Sequence, residues 1–207
     1  MLVITRIIKD PQVRRAELID AALQLFLTSG YEKTMIIDIV KKAGVAKGTF
    51  YYYFPSKEAI LEAIIASYAT EVVLEIETIG LKFTALHKLE LFIDRLFIPN
   101  KIDIIFDKLW DKKQFDLIYK IWQQAEAVFN PLLSDIIKQG NQEGTMHVLL
   151  IDETIAFLWS TFTCLWEASY NKDTPETFTN KVKIGKTVLE RILGIAEETF
   201  ALTISQQ

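Results

Sequence analysis

A tight turn between two short helical patterns, within residues 34–54, most constrains what this chain can fold into. Thr34 is the expected N-cap of the first short helix, whose apolar residues share one face: Ile36, Ile39, Val40 and Ala43. Gly44 can adopt the left-handed conformation that ends this helix, and a second helix is expected to begin at Lys47. Two short helices joined in this way are typical of a helix-turn-helix.

The second short helix carries the segment KGTFYYYF, whose three successive tyrosines point in different directions around a helix. Phe50 and Phe54 are four residues apart and share one face, so we expect them to anchor the helix on neighbouring apolar side chains. Lys47, Gly48 and Thr49 then project outward. Because the tyrosines cannot all be buried, part of this helix is expected to face something outside the protein.

The outward residues have the chemistry of a DNA contact. Lys47 can reach O6 and N7 of guanine, Gly48 allows close approach to a base edge, and Thr49 offers a hydroxyl or a methyl group. Lys57, at the start of the next helix, is expected to bind the phosphate backbone. The tyrosines expected to hydrogen-bond phosphates are Tyr51, Tyr52 and Tyr53. The alternative, an aromatic-rich core segment, does not explain the Lys-Gly-Thr sequence before it.

Helical patterns flank this motif on both sides. Residues 12–29 form an amphipathic pattern with the basic pair Arg14 and Arg15 near its start, and Gly30 is expected to end that helix. Pro55 is expected to break the aromatic helix, and Ser56 to cap a long helix that follows. Few glycines and prolines and many helical periods predict an all-α architecture.

Charge is distributed unevenly along the chain, whose formal net charge is −4. Residues 1–58 contain nine basic and six acidic residues, whereas the remainder contains 14 basic and 21 acidic ones. A cationic N-terminal part on an acidic body favours a nucleic-acid contact, although an excess of this size also arises by ordinary scatter. In the first ten residues, Arg6 and Lys9 are further candidates for a backbone or minor-groove contact.

Cysteine content and hydropathy bear on the cellular compartment. Cys164 is the single cysteine, which excludes an internal disulfide framework and favours a reducing interior. The longest uncharged stretch, residues 154–166, has 13 residues, fewer than the roughly 20 that span a bilayer. The N-terminus lacks the features of a signal peptide. We therefore expect a cytoplasmic protein with no membrane contact.

Residues 14–65 resemble the TetR family of bacterial transcriptional regulators, in the segment RRAELIDAALQLFLTSGYEKTMIIDIVKKAGVAKGTFYYYFPSKEAILEAI. The resemblance implies that Thr34 caps the second helix near a phosphate, and that Lys47, Gly48 and Thr49 enter the major groove. It further implies DNA contacts by Tyr51, Tyr52, Tyr53 and Lys57. Ala46 and Ile37 depart from the family pattern, which removes a cap and leaves one apolar residue exposed.

The resemblance also implies two domains: a helix-turn-helix DNA-binding domain over residues 1–58 and a helical effector-binding and dimerisation domain over residues 59–207. In the second domain, residues 152–170 are apolar almost all round, so both sides of that helix are expected to be buried. The last helix, from Pro175, carries small residues such as Gly185 that allow close approach. This helix pair resembles the family's dimer interface, a four-helix bundle.

Other features of the body concern its loops and its aromatic residues. Pro131 is expected to kink a long helix, and residues 140–144 are expected to form a loop. All four tryptophans lie after residue 100, which suits a pocket for a lipophilic or aromatic effector. The expected pocket residues are Phe106, Trp110, Trp122, Trp159 and Thr163. Aromatic residues at helical spacing are also what a plain core contains.

Two other classes of protein compete with a regulator. An all-α enzyme would need catalytic groups, but His87 and His147 stand apart in sequence and no catalytic, metal-binding or cofactor-binding motif is present. A helical interaction module without DNA binding would leave Lys47 and the tyrosines without a role. We therefore predict a homodimeric repressor that binds an inverted-repeat operator in double-stranded DNA, needs no cofactor and is released by a small-molecule effector.

Overall fold

The computed structural model describes residues 10–79, 82–170, 173–197, 199–202 and 204, and all regular elements in these ranges are helices. They are α1 (Pro11–Ser29), α2 (Ile36–Ala43), α3 (Lys47–Tyr53), α4 (Lys57–Ile79), α5 (Ala85–Phe97), α6 (Asp103–Asp111), α7 (Phe115–Glu143), α8 (Ile151–Tyr170) and α9 (Pro175–Leu193). The predicted all-α class is confirmed. No helix in the described ranges is both long and apolar enough to cross a membrane. Arg6 and Lys9 lie outside these ranges.

The chain divides into two compact units. The first comprises Met1–Ser67 and Lys101–Trp122, so its described part holds α1 to α3, the start of α4, α6 and the start of α7. The second comprises Tyr68–Asn100 and Gln123–Gln207 and holds α5, α8, α9 and the remaining parts of α4 and α7. The domain division expected at residue 58 stays a prediction.

The ends of α1 follow from local chemistry. Asp10 caps its N-terminus, with the backbone N–H of Gln12 donating to Oδ1 at 2.7 Å, and Pro11 occupies the first turn, where no intrahelical N–H bond is required. Gly30 ends the helix as predicted, and its N–H donates to the Phe26 carbonyl at 3.0 Å. The fully buried side chains of Leu18 and Phe26 form the inner face of α1.

The start of α2 differs from the prediction, because Met35 and not Thr34 is the N-cap residue. The Thr34 side chain turns inward, where its hydroxyl donates to the Gly30 carbonyl at 2.8 Å. Asp38, at the third position of the helix, satisfies the N-cap residue instead: its Oδ2 accepts from the backbone N–H of Met35 at 3.0 Å. This hydrogen bond directs the Thr34 side chain toward the end of α1, and the N-cap position passes to the next residue, Met35.

The turn between α2 and α3 has the predicted geometry. Gly44 has φ 64° and ψ 37°, the left-handed conformation that a residue with a β-carbon adopts at a cost. The N–H of Val45 donates back to the Val40 carbonyl at 3.0 Å, which closes the end of α2. α3 begins two residues later, at Lys47.

In the second unit, aromatic side chains form much of the core. Trp159 of α8 lies between Phe92, Phe129 and Phe162, with ring-centroid distances of 5.7 to 6.1 Å. All four side chains are at most 5% exposed. The indole Nε1 of Trp159 donates to Asn130 Oδ1 at 2.7 Å, so its polar atom is satisfied at the edge of the cluster.

Glycines allow close packing at two further places in this unit. A β-carbon at Gly185 would lie 2.7 Å from Leu165 Cδ2, so its absence lets α8 and α9 approach as predicted. A β-carbon at Gly140 would lie 2.5 Å from Met146 Sδ. The expected loop over residues 140–144 is therefore wrong for residues 140–143, because α7 continues past Pro131 to Glu143. Gly140 lies inside this helix and leaves space for the buried side chain of Met146, which follows the helix.

Candidate nucleic-acid interface

The short helix α3 is anchored on one side and open on the other. Phe50 is fully buried and Phe54, which follows the helix, is 2% exposed. Their ring centroids lie 5.8 Å apart, and the N–H of Phe54 donates to the Phe50 carbonyl at 2.8 Å. Within α3, Phe50 is the one fully buried residue. The predicted anchoring of the helix is confirmed, and its other residues are available to a partner to different degrees.

The first turn of α3 projects from the protein. Lys47 and Gly48 are exposed and Thr49 is partly exposed. The ammonium of Lys47 lies 5.8 Å from the ring centre of Tyr51, a distance at which cation and ring attract. This contact leaves the N–H groups of the ammonium accessible. Lys47 therefore has both a preferred position and free donors.

Gly48 has no packing partner that would require a glycine. A β-carbon built on it meets no atom within 4 Å, and its backbone is helical. Glycine in a helix is destabilising by roughly 0.5 to 1 kcal/mol relative to alanine, so the fold gains nothing from it here. The close approach of something outside the chain would explain it.

The three tyrosines point in different directions, as the helical spacing predicts. Tyr52 is 78% exposed and Tyr51 is 47% exposed, whereas Tyr53 is partly buried. The Tyr52 and Tyr53 rings meet edge to face, with centroids 4.8 Å apart. Two phenol groups thus lie on the open side of α3, and the third supports one of them.

Lys57 lies at the start of α4, but its ammonium points back toward the loop before α2. It donates to the carbonyls of Tyr31 at 2.9 Å and Thr34 at 3.2 Å, with Glu32 at 3.4 Å, and lies 4.2 Å from the Tyr31 ring centre. Burial lowers the pKa of Lys57. An ammonium has three N–H donors and three carbonyls surround this one, so Lys57 positions this loop in the free protein. Its phosphate contact stays a prediction.

Thr34 has a similar positioning role. Its side chain is 2% exposed and donates to backbone carbonyls of the preceding helix end. The phosphate contact that the resemblance implied for Thr34 stays a prediction. Burial also raises the pKa of the neighbouring Tyr31, helped by the carboxylate of Glu58. Thr34 and Lys57 together hold residues 31–34, the loop that precedes the N-cap of α2.

The five residues expected to line an effector pocket fall in both structural units. Phe106, Trp110 and Trp122 belong to the first unit, where the Phe106 and Trp122 rings lie 6.2 Å apart. Trp159 and Thr163 belong to the second, where Trp159 is 5% exposed within the aromatic core. Their assignment to an effector pocket stays a prediction.

Some residues that shape this surface gave weak signals in the sequence. Asp38 caps α2 and was identifiable, because an acidic residue three positions after a cap is a known pattern. Lys108 of α6 had no local signal: its ammonium donates to the Leu27 carbonyl at 2.7 Å and so covers the end of α1. Met35 and Ile37 are 60% and 40% exposed, as the departure at Ile37 suggested.

Comparisons with known proteins bear on the family and the fold. Residues 18–64 match the family model described as bacterial regulatory proteins, tetR family. The structure of a fatty acid degradation regulator, FadR from Bacillus halodurans, matches 93% of this chain and 99% of its own, with a TM-score of 0.58 and 22% identity. The Salmonella enterica GusR structure matches 90% of this chain and 98% of its own, with a TM-score of 0.62 and 17% identity. These two similarities concern the fold.

A sequence relative reaches further. The fatty acid metabolism regulator protein of Bacillus subtilis (strain 168) is 30% identical over 141 residues, which cover 66% of this chain and 72% of that protein. That alignment is three times as long as the family match, so it includes residues well beyond the helix-turn-helix. With this identity and coverage, the chain belongs to the TetR family of bacterial transcriptional regulators and is a DNA-binding regulator, not an enzyme.

Proposed function

We propose that this protein is a homodimeric repressor whose two α3 helices read the half-sites of an inverted-repeat operator in double-stranded DNA. TetR-family regulators bind DNA operators and act as dimers with small-molecule effectors. The observation that carries the proposal is the open side of α3, where an exposed lysine, an unobstructed glycine and two exposed phenols occur within six residues. A bacterial operator lies in the cytoplasm, so we propose that the protein acts there.

Each side chain of this surface has a proposed task. Lys47 donates to a guanine, Gly48 brings the helix backbone close to the base edges, and Thr49 contacts a phosphate or a thymine methyl group. The hydroxyls of Tyr51 and Tyr52 donate to phosphates, with Tyr53 supporting the Tyr52 ring. Thr34 and Lys57 position this surface through hydrogen bonds to backbone carbonyls of residues 30–34, which precede α2. We propose residues 1–58 as the DNA-binding domain and residues 59–207 as the effector-binding and dimerisation domain.

The proposed dimer surface is the exposed apolar side of α8 and α9. Phe157 and Ile184 are 67% and 65% exposed and Val188 is 37% exposed. They line a groove of about 550 Å³ between the two helices, together with Cys164. Exposed apolar area of this kind on two packed helices suits burial against a second copy in a four-helix bundle. Dimerisation would set the two half-sites about one helical turn, roughly 34 to 36 Å, apart.

The proposed effector is a lipophilic compound, and fatty acids are the first class to test. The relative named as a fatty acid metabolism regulator aligns over 141 residues, far more than a helix-turn-helix needs. Aromatic residues such as Phe106, Trp110 and Trp122 offer apolar walls for such a compound, and Trp159 and Thr163 are the candidates in the second unit. The effector would favour a conformation with weaker operator affinity and so release the repressor.

The proposal is tested by selecting duplexes from a random library and titrating the enriched sequence by fluorescence anisotropy over a series of salt concentrations. We expect an inverted repeat, a steep salt dependence and a loss of affinity in Lys47→Ala. Lys112→Ala, which removes an exposed lysine of the same unit outside α3, is the matched control. Medium- and long-chain fatty acids are then added to the complex. Absence of enrichment would overturn operator recognition, and unchanged affinity with every fatty acid would overturn that effector class.

A further inference from the structure

Two adjacent arginines near the start of α1 have different surroundings. Arg14 Nη1 lies 2.7 Å from the Glu17 carboxylate and its side chain is 23% exposed, so its charge is offset within the helix. Arg15 is exposed, and no carboxylate in the described part of the chain forms an ion pair with it. Its guanidinium carbon lies instead 5.2 Å from the centre of the Phe54 ring. Of the pair, Arg15 thus retains a charge available to an external anion.

The contact with Phe54 fixes where that charge lies. Phe54 directly follows the last residue of α3, and its ring is almost fully buried beside Phe50. A guanidinium over a ring is held by electrostatic attraction, while N–H groups at its edge stay free to donate. Arg15 therefore holds a planar set of donors at the C-terminal end of α3, although it belongs to a different helix.

Lys47 begins α3, and the Arg15 guanidinium lies beside the other end of that helix. α3 has seven residues and is about 10 Å long at 1.5 Å per residue, with Lys47 at its start and the Phe54 ring just beyond its end. The major groove is about 12 Å wide and is bordered on both sides by phosphates. If Lys47 enters the groove, the other end of α3, beside which Arg15 lies over Phe54, is within about one groove width and can reach a bordering phosphate.

We propose that Arg15 is a phosphate-binding residue that fixes the C-terminal end of α3 on the DNA backbone. Phosphate contacts set the register and orientation of a protein on the duplex, whereas base contacts specify sequence. Arg15 is thus a positioning residue for the base contacts of Lys47 and its neighbours. A planar guanidinium also suits a phosphate better than an ammonium does, because it can donate two parallel N–H bonds. This inference rests on the proposed role of α3 as the DNA-reading helix.

The test compares Arg15→Met with Arg14→Met, which carry the same change in net charge. Methionine keeps an apolar stem over Phe54, and thermal unfolding of each variant checks that the domain remains folded. Affinity for the duplex that the wild-type protein enriches is measured over a salt series. We expect Arg15→Met to bind roughly tenfold more weakly and to lose about one unit of salt slope per protomer. We expect Arg14→Met to keep the wild-type slope, and Arg15→Lys to recover the slope with part of the affinity.

The outcomes separate this inference from the proposed function. Equal salt slopes in Arg15→Met and the wild-type protein would overturn it, as would equal losses in the Arg14 and Arg15 variants. If Lys47→Ala loses specific binding while Arg15→Met does not, only the role of Arg15 fails. If the wild-type protein binds no duplex with a steep salt dependence, both proposals fail. A merely structural role over Phe54 would lower the unfolding temperature of Arg15→Met and leave its salt slope unchanged.

Discussion

Gly48→Ala separates the needs of the fold from those of DNA binding. The added methyl group meets no atom of the protein within 4 Å, so it causes no steric clash in the folded chain. Alanine lowers the conformational entropy of the unfolded chain and favours the helical backbone of α3. We therefore expect the variant to be more stable by up to about 1 kcal/mol, since Gly48 is the second residue of the helix and not in its middle. For a chain of this length, that raises Tm by roughly 2 to 4 °C.

The expected effect on operator binding has the opposite sign. If the backbone at Gly48 approaches a base edge, the methyl group occupies that space and displaces α3 from the groove. Displacement weakens the contact of the adjacent Lys47, and a good base contact is worth about 1 to 3 kcal/mol. Because each 1.4 kcal/mol is a factor of ten, we expect a loss of affinity of roughly fivefold to a hundredfold per half-site.

Two measurements on one preparation test this expectation. Thermal unfolding followed by circular dichroism gives the change in Tm, and anisotropy titration gives the affinities for the enriched duplex and for a scrambled one. Binding to the scrambled duplex serves as the control, because phosphate contacts alone should be little affected. Wild-type affinity for the enriched duplex would refute the close approach of Gly48 to DNA. A lower Tm would refute the inference that the glycine serves no purpose in the fold.

Four further expectations concern other parts of the chain. Lys57→Met should lower the free energy of unfolding by about 1 to 3 kcal/mol in urea titration, because it leaves carbonyls of residues 31–34 without a donor. Gly194→Ala should lower Tm for two reasons. The left-handed backbone of Gly194, with φ 64°, costs a residue with a β-carbon roughly 1 to 2 kcal/mol, and that β-carbon would lie 3.1 Å from the backbone nitrogen of His147. Burial raises the pKa of the Glu126 carboxyl group, so this group stays protonated to higher pH in the folded state than in the unfolded state. Stability therefore falls as the pH rises from the ordinary carboxyl pKa through the raised one. Glu126→Gln should thus be more stable than wild type at neutral pH and show no gain at acid pH in the same denaturation assay. Phe157→Glu should yield monomers in light scattering, whereas an unchanged dimer would argue against the α8–α9 surface.

The features that sequence analysis predicted correctly are those that depend on near neighbours. The left-handed Gly44, the start of α3 at Lys47 and the shared face of Phe50 and Phe54 follow from spacing and backbone sterics within a few residues. Ser56 likewise caps α4, with Oγ accepting from Ala59 N–H at 3.1 Å. These features specify the helix-turn-helix without reference to the rest of the chain.

The predictions that needed correction depend on partners distant in sequence. Thr34 was a reasonable cap by residue type, but its hydrogen bond to the Gly30 carbonyl directs the side chain toward the end of α1. The bond of Lys57 to the Tyr31 carbonyl, 26 residues earlier, was likewise not predictable from local spacing. Gly140 reads locally as a helix breaker, yet a buried methionine six residues later packs where its side chain would be. The effector pocket stays a prediction, because residue type alone does not distinguish a pocket wall from a closely packed core such as that around Trp159.

The anchoring of α3 bears on how this kind of protein changes its target during evolution. One residue of the helix is fully buried and a second aromatic residue beyond its end completes the attachment. Substitutions at most other positions of α3 therefore have little effect on folding free energy, whereas each alters the chemical groups offered to DNA. A gene duplicate can in this way acquire a new operator through surface changes alone. The same property makes α3 a suitable segment for randomisation when regulators with new specificities are engineered.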